Sequence, residues 1–366
     1  MQKTFTVPDP TEQTLRQRRS KMRKFFLASM SLLITLILLI GCGPALPEGC
    51  ESGDLKVGMV SDVGGIDDAS FNQNTWDGLQ RAEEEMAVCS QFIESQAQAD
   101  YEKNITEFAE QDYDLIITVG FLLGDATAKM AGEYSDVKFA IVDFAYDPPI
   151  DNVQGIVFNS DEAAFPTGYL AAAWAAMKDP DDPQVGYVAG MQIPPVEIFI
   201  VAYEAGVEYY NDQTGANVQV KGVYVGDFEA PDQGKIQGNS LIDEGVDVIF
   251  GVGGKTGNGG LTAAKERGKW GIGVDVDQYY TLPNEKDILI TSCMKRLDNA
   301  VYTVVEDTLA GRFQGGGVYV GTLENGGVGM APFHDYENEI PGEVKSELDA
   351  IKQGIINGSI DTGWSQ

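Results

Sequence analysis

From residue 55 onward the chain alternates short apolar runs with longer stretches in which apolar positions recur every three or four residues. The runs at 55–60, 92–95, 115–119, 139–142 and 155–158 read as strands, and the stretches at 72–87, 101–111, 125–134 and 162–177 read as helices. A second series repeats the pattern, with strands at 184–188, 218–224, 246–250 and 271–274 and helices at 195–210, 231–244 and 257–267. A strand at 288–292 and a helix at 297–311 come next, then a glycine-rich stretch at 315–329 and a polar tail with a helix at 341–353. Strands that are apolar throughout, separated by helices, imply parallel sheets covered on both faces. The expected fold is α/β, with two doubly wound parallel-sheet lobes, a hinge and an interlobe cleft. The expected division is 54–158 plus 285–320 for the first lobe and 159–284 plus 321–366 for the second.

The start of the chain departs from this pattern. Lys3, Arg16, Arg18, Arg19, Lys21, Arg23 and Lys24 precede an apolar run at 25–40 that is short for a spanning helix. The run ends in Leu39-Ile40-Gly41-Cys42, which is similar to the processing site of bacterial lipoproteins. On that reading residues 1–41 are a signal peptide, Cys42 carries the lipid, and 42–53, rich in Gly, Pro and Glu, form a tether. A retained signal anchor and a simply cleaved peptide are the alternatives. Two or more acyl chains suffice for a stable anchor, so the body is expected at a membrane on its extracytoplasmic side. In an oxidising compartment Cys50 and Cys89 can pair, because each precedes one of the first two strands and neighbouring parallel strands start at the same edge. Cys293, at the end of an apolar strand, reads as a buried small hydrophobe.

Charge narrows the chemistry. With 56 acidic against 25 basic residues the net charge is −31, and no basic patch in the body offsets it, which argues against nucleic-acid binding. A single histidine, His334, and four cysteines leave no multi-histidine metal centre, and no metal or cofactor is implied. His334 reads as a surface loop residue. Carboxylates, amides and aromatic rings remain.

Ligands of open parallel sheets sit at the carboxyl ends of the strands. The first strand exits into Ser61-Asp62-Val63-Gly64-Gly65-Ile66-Asp67-Asp68-Ala69-Ser70-Phe71-Asn72-Gln73. Later exits carry Asp143, then Ile193-Pro194 with Phe199, Gly251-Val252-Gly253-Gly254-Lys255-Thr256, Asp275-Val276-Asp277-Gln278 and Lys295. Gly254-Lys255-Thr256 ends like a phosphate-binding loop, but the first glycine of that motif would fall on Ile249, so Lys255 is read as a lip residue.

The stretch from Asp62 to Gln73 closely resembles the signature of the basic membrane lipoprotein family, type I substrate-binding proteins of ABC importers that include purine-nucleoside receptors. Further matches are Ala163-Ala164-Phe165, Gly168-Tyr169-Leu170-Ala171-Ala172, Gly245-Val246-Asp247-Val248-Ile249-Phe250 and Gly271 to Gln278, so the resemblance covers about 55–310. It implies a type I periplasmic-binding-protein fold, a nucleoside ligand such as guanosine, inosine or adenosine, an ABC permease partner, no enzymatic activity and a monomer; a receptor or sensor lipoprotein for another small polar ligand and a nucleoside-cleaving hydrolase are the alternatives. Phe71 and Phe199 would clamp the base. Asp275 and Lys295 would hold the ribose hydroxyls, Asp143 and Asn72 would read the base edge, and Gly253 would let the backbone approach. Asp62 is open between sugar binding and holding its loop. Both phenylalanines could instead be core, Asp67 or Asp68 could cap the following helix, and Trp76 reads as packing. Ala202, where the family usually has glycine, and Asp227-Phe228-Glu229-Ala230 depart from the family pattern and reshape one wall.

Overall fold

The computed structural model describes Cys50 and residues 53–365, which belong to one compact unit. The signal peptide, Cys42 and most of the tether lie outside the described residues. Among those described, no helix is long and apolar enough to cross a membrane.

The N-terminal lobe is built from β1 (Leu55–Ser61), α1 (Phe71–Glu85), β2 (Val88–Ile93), α2 (Tyr101–Ala109), β3 (Leu115–Val119), α3 (Gly124–Glu133), β4 (Lys138–Val142) and β5 (Val153–Phe158). The chain then crosses to the second lobe. There it forms α4 (Ser160–Lys178), β6 (Gln184–Ala189), α5 (Pro194–Thr214), β7 (Gln219–Tyr224), α6 (Pro231–Asp243), β8 (Val248–Val252), α7 (Gly254–Glu266), β9 (Trp270–Asp275), α8 (Gln278–Thr281) and β10 (Leu289–Lys295). Helix α9 (Leu297–Leu309) returns to pack on α1, and β11 (Val318–Gly321) joins the first sheet; β12 (Val328–Met330) and α10 (Gly342–Ile356) belong to the second lobe.

Each lobe holds a six-stranded sheet, ordered β11-β5-β4-β3-β1-β2 and β12-β10-β9-β8-β6-β7. All neighbours run parallel except β12, which is antiparallel to β10. Strands β3, β6 and β8 are buried along nearly their whole length, as continuous apolar runs covered by helices on both faces should be.

Two expectations change. Strand β10 pairs with β9 in the second sheet, so the crossing back to the first lobe falls at 295–297 and not at 285. Periodicity reports that 288–292 is a buried strand but not whose neighbour it is. Strand β2 begins at Val88 and not at residue 92, with its first three residues buried and the rest open. An edge strand needs little apolar content, so its start is poorly marked. Cys89 is therefore the second residue of β2, and it is disulfide-bonded to Cys50 with Cα atoms 5.5 Å apart. Cys293 is fully buried and free.

Candidate functional site

In a sheet ordered 2-1-3-4-5 the crevice opens where successive crossovers leave on opposite faces: between β1 and β3 in one lobe, and between β6 and β8 in the other. The exits of these four strands surround one cavity. Asp62 and Gly64 follow β1, Gly120, Phe121 and Leu122 follow β3, Ile193, Pro195, Val196 and Phe199 follow β6, and Gly253 and Gly254 follow β8. Adjacent exits add Asp143 after β4, Asp275 at the end of β9 and Lys295 at the end of β10. All eight residues singled out in the sequence (Asp62, Phe71, Asn72, Asp143, Phe199, Gly253, Asp275 and Lys295) line this space. The cavity is narrow, about 60 Å³.

Lys295 is the one cation in the lining, and it is 2% exposed. Its Nζ donates to Asp143 Oδ2 at 2.5 Å and lies 4.8 Å from the Phe71 ring centre, 5.3 Å from Phe158 and 5.8 Å from Phe199. Burial pushes the Asp143 carboxyl up, while the charge and hydrogen bond of Lys295 pull it back. Burial likewise raises Asp275, whose Oδ2 accepts from Ser70 Oγ at 2.6 Å. Asp143 and Asp275 both have left-handed backbone, at φ +63° and +64°. Such strained positions persist where the surroundings over-determine them, commonly at ligand clamps.

Asp62 Oδ1 accepts from Gly64 N and from Asn72 Nδ2, each at 2.9 Å, and burial raises its carboxyl to about 6. Asn72 Nδ2 also donates to Asp68 Oδ2 at 3.3 Å. Asn72 thus faces both carboxyl groups with its amide nitrogen. Its buried Oδ1 has no partner among the described residues and so is an acceptor in need of a donor. Asp68 accepts from the backbone N–H groups of Ser70, Asn72 and Gln73 and thereby caps α1, the role weighed for it in the sequence.

Phe71 is half-buried where α1 begins, whereas Phe199, one turn into α5, is 2% exposed and makes a T-shaped contact with Phe250. Gly253 has φ +95°, and a Cβ there would stand 2.9 Å from Gly190 N; only glycine permits this close approach of two strand exits. Lys255 does stand at the lip, bridging Asp67 of the first lobe at 2.5 Å and Glu229 of the second at 3.1 Å. Trp76 does not line the cavity and packs edge-on against Phe92.

Phe121, Leu122 and Phe228 line the cavity without having been singled out as contacts. For Phe121 the signal was present, since β3 has an exit like every other strand. Phe228 follows β7 and comes from the run that departs from the family pattern. His334 differs from its expected place: it is partly buried, stacks on Tyr279 at 4.0 Å and hydrogen-bonds Asp277 Oδ2 at 2.8 Å. These partners lie more than fifty positions away and leave no local trace.

Residues 55–365 match the family described as "ABC transporter substrate-binding protein PnrA-like". An uncharacterized lipoprotein of Pyrococcus abyssi (strain GE5 / Orsay) is 32% identical, over 83% of this chain and 76% of the relative. The "ABC transporter nucleoside-binding protein BmpA" of Lactococcus lactis subsp. cremoris is 29% identical, over 93% of this chain and 99% of its own. Among solved structures, an ABC transporter solute-binding protein from Aeropyrum pernix K1 superposes with a TM-score of 0.79 at 32% identity, over 84% of this chain and 92% of that one.

Proposed function

Because the chain belongs to the PnrA-like family of ABC transporter substrate-binding proteins, we propose that it captures a nucleoside, purines preferentially, and delivers it to an import permease while anchored through Cys42. The observation that carries this reading is a slot between aromatic rings whose polar lining is almost all acceptor: Asp62, Asp68, Asp143, Asp275 and the unpartnered Asn72 Oδ1, against one ammonium. A nucleoside supplies what such a lining lacks, namely hydroxyl and N–H donors around a flat ring. Stacking on Phe71 and Phe199 would add roughly 1–3 kcal/mol per ring. A phosphate would meet a lining rich in carboxyl groups with one ammonium to offset them, so nucleotides should bind more weakly than nucleosides. The relative named as nucleoside-binding points the same way.

In this reading the carboxylates hold the ligand and do not react with it, since those best placed are already engaged with Lys295, Ser70 and Asn72. Isothermal titration of the protein against guanosine, inosine, adenosine, uridine, cytidine, ribose and GMP tests the reading. One-to-one binding of purine nucleosides, with weaker binding of GMP and no release of base from inosine, is expected. Silence for every nucleoside from a folded protein, or GMP binding as tight as guanosine, overturns it.

A further inference from the structure

Four consecutive residues of the loop between β1 and α1 each find a partner on the opposite lobe. Asp67 meets Lys255 Nζ at 2.5 Å, the Asp68 carbonyl accepts from Asn258 Nδ2 at 2.9 Å, the Ala69 carbonyl accepts from Thr281 Oγ1 at 2.8 Å and Gln278 Nε2 at 3.3 Å, and Ser70 Oγ donates to Asp275 Oδ2. Asn258, Gln278 and Thr281 do not line the ligand cavity. They belong to α7 and α8; Gln278 Nε2 also donates to Asn258 Oδ1 at 3.0 Å, and Thr281 shares the Ala69 carbonyl with Gln278. Gln278 is fully buried and its Oε1 accepts from Val274 N at 3.0 Å, which anchors the group to the end of β9. Ala69 has φ +55°, a backbone that an L-residue holds only when its surroundings enforce it. The side chains bonded to its carbonyl come from the other lobe.

We propose that Asn258, Gln278 and Thr281 form a ligand-independent latch, positioning residues that grip the Asp68 and Ala69 carbonyls and hold the lobes shut without touching the ligand. This rests on reading the chain as a receptor whose lobes open and close, but not on the identity of its ligand. A ligand shifts a closing equilibrium only by its differential contact with the two forms. Bonds between the lobes themselves shift it beforehand and raise apparent affinity by populating the competent form. Each neutral hydrogen bond lost should move the closed-to-open ratio by roughly two- to tenfold.

The test is a pulsed dipolar measurement on the ligand-free full-length protein in detergent, with nitroxides at Lys103→Cys on α2 and Gln233→Cys on α6. The parent protein should show a short-distance closed population, and Asn258→Ala with Thr281→Val should transfer it to the longer distance by at least about fivefold in ratio. Thr281→Ser, which keeps the hydroxyl, should behave as the parent. Circular dichroism and melting identical to the parent exclude loss of fold. A ligand-free parent with no short population, or a double variant within twofold of the parent, overturns the latch. Inosine added to the same samples separates the two readings: a shift between variants without an inosine response retains the latch and removes the nucleoside, and an inosine response with no shift between variants does the reverse.

Discussion

Replacing Lys295 by methionine keeps most of the side-chain volume but removes the only ammonium in the cavity lining. Asp143 would be left with its side chain 8% exposed and without the bond at 2.5 Å that now compensates it. Breaking a buried pair in this way costs about 3–5 kcal/mol, because the surviving charge remains desolvated. Loss of the three ring contacts around Nζ falls within that range. Urea unfolding at pH 7 measures the cost. Adding Asp143→Asn should recover part of it, since the carboxyl that lost its hydrogen bond is then neutral, while Asp275, whose buried charge Lys295 also offsets, keeps the remainder of the deficit. The pH dependence supplies a second check. In Lys295→Met the causes that lowered Asp143 are gone and burial alone raises it, so the native state holds a proton that the unfolded chain has already released. Stability of the variant should therefore fall as pH rises above about 4, and its deficit should shrink toward acid. A deficit under about 1 kcal/mol at pH 7, or no recovery at all in the double variant, would refute the account in which Lys295 compensates the buried carboxylates around it.

Phe199→Ala should weaken purine-nucleoside binding by roughly ten- to a hundredfold in calorimetry, and also destabilise the fold by about 3–5 kcal/mol because the ring is buried. Gly253→Ala must adopt φ +95° and press a Cβ against Gly190 N, so loss of more than about 1 kcal/mol in unfolding and of ligand binding is expected. Asp62 titrates near 6 in the folded protein against 3.8 as a free side chain, worth about 3 kcal/mol that is fully present below pH 4 and lost as pH rises through 6. Asp62→Asn should accordingly flatten the fall in stability between pH 4 and 7 relative to the parent, measured by urea midpoints. The Lys255 bridge at the lip is partly exposed, so Lys255→Gln should change ligand dissociation at low salt and little at 0.5 M, where screening has already removed most of the attraction.

Strand exits were the readable part of the site. A run such as 139–142 or 271–274 announces its own end, and parallel topology sends that end to the ligand face, so Asp143 and Asp275 could be named from local pattern alone. The same rule applied to β3 would have added Phe121. The glycine-rich stretch at 315–329 carried no comparable signal, although it holds β11 and most of β12, one for each sheet. Short edge strands of this kind bury too little to show a period.

The alternation of apolar runs and amphipathic stretches determined two parallel sheets, the order of their elements and the set of side chains presented at their ends, because each of these follows from a period of a few residues. Tertiary structure decided which of those side chains meet. Lys295 and Asp143 are 152 positions apart, and Ser70 and Asp275 are 205 apart. Their pairing depends on where the chain crosses between lobes and how far the lobes close, and a local repeat cannot encode contacts that form only when two separately folded sheets come together.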